Sequence, residues 1–263
     1  RRTALHEHLR EEARDSGVEL HWGTTVEGFD EHQLKTTDGT TRSRWIVGAD
    51  GLHSRVRRWS GLEETNNRSD RFGFVRHYDR EPWTDHVEVY WQENYEAYVT
   101  PLDEQKIGVA LLAEQQSLDF DHALEQFPAL REKLTNADQS AHEKGWGPLY
   151  QTASGVRTDN VFLVGDAAGY RDAITGEGLS IAFKQARHLA RAISRENPSI
   201  YENSFCSIVR TPNLIIESLL WLRRYPRLRR QLMKAMSGES SLFSFLLTVN
   251  DRGIADSLRV TLR

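Results

Sequence analysis

Only one cysteine, Cys206, occurs in 263 residues, so no intrachain disulfide can brace the fold. Such sparing use of cysteine fits a reducing compartment, and a cytoplasmic location is expected. Charge of one sign is lacking too: 38 Asp plus Glu face 34 Lys plus Arg, and a net charge of -4 gives no general attraction to nucleic acid or anionic membranes. No nucleic acid partner is therefore expected. No apolar run approaches the roughly 20 residues that span a bilayer, and the start is charged rather than signal-like, so a soluble chain is expected. Internal repeats and low-complexity stretches are also missing. The first residue is Arg1 rather than Met, which reads as a processed chain or a fragment of a longer one.

A chain of this length can bury a sizeable core in one or two domains. Leu5, Leu9 and Ala13 recur at a spacing of four before Gly17, which predicts an amphipathic helix over residues 2–16. Strand-like runs follow at 18–22, 24–29, 33–37 and 44–47, punctuated by Gly23 and the Asp38-Gly39 turn. Longer alternating, aromatic-rich runs at 72–78, 86–91, 95–100 and 106–113 predict a second, antiparallel sheet. Helical spacing in Phe120, Leu124, Phe127, Leu130 and Leu134, interrupted near Pro128, places helices beside that sheet. A buried-strand run at 160–164 feeds glycines and then a helical pattern over 178–195, and the tail beyond Tyr201 reads as helices with a break at Pro226.

Two constellations carry chemistry. In residues 44–57 an apolar strand leads through Gly48, Ala49, Asp50 and Gly51 to Ser54 and Arg57. Small residues permit close approach, Asp50 can accept ribose hydroxyls, and Ser54 and Arg57 can hold phosphate oxygens. An Asp-Gly turn by itself is an ordinary polar turn; the whole pattern is more specific. In residues 161–178 the strand Val161-Phe162-Leu163-Val164 runs into Gly165-Asp166-Ala167-Ala168-Gly169, then Thr175-Gly176-Glu177-Gly178 and a helix.

Taken together, in this order and separation, the two motifs resemble the signatures of the para-hydroxybenzoate hydroxylase superfamily of flavoproteins, which includes geranylgeranyl reductase-like enzymes and flavin-dependent halogenases. The likeness covers most of residues 2–195. It implies FAD as cofactor, with Gly165 and Asp166 on its ribityl or ribose side, and with the amides of Gly176, Glu177 and Gly178 near the pyrophosphate and isoalloxazine at a helix start. The same resemblance places Arg2 on the pyrophosphate and the Val26 backbone on adenine. By residue type alone, Arg2 fits a solvated helix arginine equally well, and Val26 fits core packing better.

The superfamily's Gly-x-Gly-x-x-Gly turn occurs nowhere in these residues, so the chain reads as starting after it, with neighbouring apolar faces left uncovered. Gly169 with Thr175-Gly176-Glu177-Gly178 is closer to the reductase branch than to the hydroxylases, and the halogenase signature is absent, Gly145-Trp146-Gly147-Pro148 being no substitute. No Ser-His-Asp or metal constellation stands out, and His77, Tyr78 and Tyr98 on the second sheet read as core rather than catalytic.

The expected architecture is α/β: a partial glutathione-reductase-like FAD-binding domain from residues 1–67 and 147–200, an antiparallel substrate sheet over 68–146, and C-terminal helices over 201–263. The expected function is an FAD-dependent oxidoreductase, monooxygenase ahead of reductase, acting on a small hydrophobic substrate with NADPH or NADH as electron source. A non-catalytic interaction module is the alternative from another class. Basic and apolar residues of the tail, among them Arg223, Arg224, Arg227, Arg230 and Lys234 beside Trp221, Leu228 and Leu232, read as a solvated helical face or as a peripheral membrane contact.

Overall fold

The computed structural model describes residues 2–64 and 71–238. Helix α1 (Arg2–Asp15) is closed by Gly17 at φ +79°, the left-handed position that glycine tolerates, with the amides of Gly17 and Val18 returning to the carbonyls of Arg14 and Ala13. No residue of α1 is buried, and Leu9 is 43% exposed, so the apolar stripe read from the sequence stays uncovered. The strand expected at 18–22 does not form. None of the described strands lies alongside it, and alternation without a ladder partner does not hold a strand.

Strands β1 (Val26–Asp30), β2 (Gln33–Thr36) and β3 (Gly39–Arg42) make an antiparallel meander with β2 in the centre. Next come β4 (Ile46–Gly48), the short helix α2 (Arg55–Trp59) and β5 (Glu63–Glu64). The second unit contains β6 (Phe72–Asp79), β7 (Glu88–Trp91), β8 (Tyr95–Asp103) and β9 (Lys106–Ala113), then helices α3 (Phe120–Glu125) and α4 (Pro128–Lys133), then β10 (Asp138–Trp146). The chain returns through β11 (Thr152–Ala153), β12 (Arg157–Thr158) and β13 (Val161–Leu163) to α5 (Gly178–Ser194), α6 (Ser199–Arg223) and α7 (Pro226–Gly238).

Two cores result. In the five-stranded antiparallel sheet, ordered β10-β6-β9-β8-β7, Val99, Val109 and Leu111 pack against Phe120, Phe127 and Leu130 of the α3–α4 segment. Asp119 starts α3 by accepting from the amides of Asp121 and His122, and Pro128 at the first turn of α4 breaks the helical run. Strand β10 was not legible as one: Asp138–Trp146 is mostly polar, and it sits at a sheet edge with two register shifts, where burial imposes little pattern.

The other core surrounds β13, which pairs in parallel with β4 on one side and antiparallel with β12 on the other. Val161, Phe162 and Leu163 are all buried and pack with Val56, Leu189 and Tyr201. Gly48 is required here: a Cβ on it would lie 2.8 Å from the Val56 Cβ and 2.9 Å from Leu163. The smallness of Gly48 therefore serves the packing of α2 on the sheet rather than ligand approach. α6 corrects a further expectation. Its 25 residues contain an 18-residue window of mean hydropathy 1.2, enough to cross a bilayer by length and composition alone. Its first turn nevertheless joins the second core, where the buried Tyr201 hydroxyl donates to the Leu163 carbonyl at 2.6 Å.

Candidate functional site

The first motif is a self-bonded corner. The Asp50 carboxylate accepts from the Ser54 hydroxyl at 2.5 Å and from the amides of Arg55 and Val56 at 2.7 and 3.1 Å. Ser54 in turn caps α2 by accepting from the Arg57 amide at 2.9 Å. Both side chains satisfy the open start of a short helix, a different use from the ribose and phosphate contacts expected of them. Gly51, at φ +79°, makes the turn that brings Asp50 back over the helix start.

Arg57 corrects the sequence reading more sharply. It is 1% exposed and does not face a ligand. Its guanidinium donates to the carbonyls of Leu52 at 2.9 Å, Ala167 at 3.1 Å and Asp166 at 3.4 Å, and to Gln151 Oε1 at 3.3 Å. A fork of five donors suits this task, and the result is to join the two motifs.

The second motif follows β13 as a single 3-10 turn, Gly165–Ala168. Gly165 has φ +62°, and its amide donates to Gln185 Oε1 of α5 at 2.6 Å. Gln185, buried in an otherwise apolar stripe, was missed by sequence reasoning; a polar residue at a core position of a helix was the available signal. Asp166 is half-buried and its carboxylate accepts no hydrogen bond among the described residues. Burial pushes its pKa up, and the charge of Arg2, close enough to act on it, pulls the other way. Burial likewise raises the Tyr170 hydroxyl, with Asp166 and Asp172 adding to the shift. The charge of Arg2 thus reaches Asp166, and Val26 opens β1 opposite Thr36, half-exposed and outside both cores.

The approach to α5 gives the site its donors. Gly176, at φ +70°, has its amide folded back to the Ala173 carbonyl at 3.0 Å, so that amide is occupied rather than free for a ligand. The first intrahelical bond runs from Ile181 to Glu177, which leaves the amides of the preceding turn without helical acceptors. Glu177 is the N-cap residue but makes no side-chain cap bond. Gly178 begins the helix, and a Cβ there would lie 3.4 Å from the Tyr170 ring and 3.8 Å from Asp166 Oδ1. A cavity of about 170 Å³ borders Gly165, Asp166, Tyr170, Gly178 and Ile181. It is smaller than the roughly 300 Å³ at which small-molecule pockets begin, so it can enclose only part of a dinucleotide.

The set consists of an acceptor-only carboxylate, a nearby guanidinium and the positive end of a 17-residue helix with no acidic residue in its first turn. This suits a ligand that carries both hydroxyls and phosphates: the hydroxyls donate to Asp166, while phosphate oxygens accept from the helix start and Arg2. FAD fits those requirements. Among the described residues no group of three or more His, Cys, Asp and Glu side chains could hold a metal ion.

Comparison with known proteins agrees with this chemistry. The chain is 26% identical over 192 residues to a pentachlorophenol 4-monooxygenase of Sphingobium chlorophenolicum, covering 66% of this chain and 36% of that protein. It is 22% identical over 180 residues to a digeranylgeranylglycerophospholipid reductase of Methanococcus vannielii, covering 64% and 45% respectively. The chain therefore spans less than half the length of either relative. Among solved structures, the flavin-dependent brominase Bmp2 superposes with a TM-score of 0.71 at 16% identity, over 97% of this chain and 76% of that one, which establishes a shared fold. The family model for the FAD binding domain matches residues 2–196, well over half of the chain, and the chain belongs to that FAD-binding family.

Proposed function

We propose that the protein is an FAD-dependent monooxygenase acting on a small hydrophobic organic molecule, with NADH or NADPH as electron donor and the cytoplasm as its place of action. The observation that carries the reading is the half-buried Asp166 carboxylate, without a hydrogen-bonding partner among the described residues, set beside Arg2 and the start of α5 in a chain of the FAD-binding family. FAD supplies the redox chemistry when bound. The chain's own residues hold it: Asp166 accepts its hydroxyls, the α5 amides take up its phosphates, and the helix dipole favours negative charge near the helix start. Arg57 and Gln185 keep that constellation in shape from behind.

A reductase is the second reading. It is favoured by the Gly169 and Thr175-Gly176-Glu177-Gly178 pattern and by the likeness to an archaeal lipid reductase. Turnover of the intact protein with NADH or NADPH under ¹⁸O₂ separates the two: label in the product supports the monooxygenase, and oxygen-independent product formation supports the reductase. An intact protein that neither retains FAD nor oxidises a nicotinamide would instead favour the interaction module.

Peripheral membrane contact is proposed for the α6–α7 corner. Trp221, Tyr225, Leu228 and Leu232 are exposed there among Arg224, Arg227 and Arg230, whereas Arg223 and Arg229 turn inward. Cosedimentation with phosphatidylglycerol vesicles tests the contact, and a protein left wholly in the supernatant would rule it out.

A further inference from the structure

The antiparallel sheet and the segment leading into α5 meet at a buried cluster of charges. Arg71, just before β6, donates from Nε to Asp172 Oδ2 at 2.8 Å and from Nη2 to Asp172 Oδ1 at 3.2 Å. Its guanidinium also meets Glu96 of β8, at 2.9 and 3.3 Å. Arg223, at the end of α6, lies 2.9 Å from Glu96 Oε1 and balances the second carboxylate. Arg71 and Asp172 are each 3% exposed and Glu96 is fully buried. Burial opposes the charge on Arg71, yet Asp172 and Glu96 outweigh it and hold its pKa above the ordinary value.

Stability alone is a weak reason for such a cluster, because a buried ion pair is often no better than apolar side chains of similar volume. Its backbone contacts point to a different use. Asp172 Oδ1 accepts from the Ile174 amide at 2.9 Å, and the Tyr98 hydroxyl, beside Glu96, donates to the Ile174 carbonyl at 3.2 Å. The Ile174 carbonyl is thereby held from the sheet by Tyr98, and its amide by Asp172, which Arg71 holds in turn, two residues before Gly176 turns the chain into α5.

We infer that Arg71 and Tyr98 are positioning residues: through Asp172 and the two backbone groups of Ile174 they set the 172–178 turn and so aim the α5 amides at the FAD phosphates. The ligand in this inference rests on the reading proposed above; the fixing of the turn does not. The sheet that was expected to serve the substrate thus also shapes the cofactor site.

Replacing Arg71 or Asp172 leaves an uncompensated buried charge and can prevent folding, so the deciding variant is Tyr98→Phe, which removes one hydroxyl. In the full-length protein, hydrogen exchange at the protected amides of Ile174, Gly176 and Ile181 is expected to quicken about tenfold, as loss of one buried hydrogen bond allows, while β9 amides stay unchanged. FAD affinity, read by quenching of flavin fluorescence, is expected to fall by a similar factor. Exchange that is unchanged, or that rises equally in β9, overturns the inference, as does a quickened turn with FAD bound as tightly as in the wild type. If the wild type itself binds no FAD, the proposed function fails, and the exchange measurement alone decides whether Tyr98 fixes the turn.

Discussion

The Arg57 guanidinium donates to the Ala167 carbonyl at 3.1 Å, joining two motifs that lie 110 residues apart in the chain. What the sequence presents as a basic group aimed at phosphate is a buried brace between the Asp-Gly corner and the Gly-Asp turn. The brace places Asp166 without using its carboxylate.

Removing the brace is expected to be costly. Arg57→Met leaves the Leu52 and Ala167 carbonyls without their donor, and should lower unfolding free energy by about 2 to 4 kcal/mol. Urea denaturation measures this. A loss below about 0.5 kcal/mol, the scale of an ordinary surface substitution, would show that Arg57 is not structural.

Gly178→Ala should separate folding from binding. Its Cβ would meet nothing closer than the Tyr170 ring at 3.4 Å, and alanine is the better helix former by about 0.8 to 1 kcal/mol. The melting temperature of the FAD-free protein should hold or rise, while FAD affinity falls because the added methyl stands at the start of α5. Unchanged affinity would place the phosphates elsewhere.

The pH dependence of Asp166 has a definite sign. Its folded-state pKa is raised above the ordinary value of 3.8 by burial, Arg2 opposing, so the folded state holds the proton more tightly than the unfolded chain does. The favourable contribution is full below 3.8 and is lost as pH rises through the folded-state pKa; at neutral pH the buried carboxylate is a net cost. Asp166→Asn should therefore stabilise the FAD-free protein at neutral pH and flatten its stability across that acidic window. A variant less stable than the wild type at pH 7, with the same pH slope, would contradict this origin.

Much of the site was legible in the sequence because strand-turn-helix segments carry local signatures. Phe162 and Leu163 read as a buried strand, and Gly51, Gly165 and Gly176 all take the positive φ that marks a forced turn. Asp166 and Gly178, twelve residues apart, come close enough that a Cβ on Gly178 would lie 3.8 Å from Asp166 Oδ1. What was not legible depends on pairing across the chain. Arg57 looked like a ligand group because burial by residues 151 and 166–167 cannot be seen from its neighbours. The same holds for Arg71, Glu96 and Asp172, each an unremarkable charge until three separate segments meet. Residues 18–22 carried strand-like alternation but found no partner, and the polar β10 found one without alternation.

The most direct test of the account is the visible absorbance of the full-length protein, wild type and Asp166→Ala, incubated with FAD and gel-filtered free of unbound cofactor. The account predicts flavin bands retained by the wild type and lost from the variant, with both proteins folded by circular dichroism. Bands retained equally in both, or absent from the wild type, would contradict an FAD site built on Asp166.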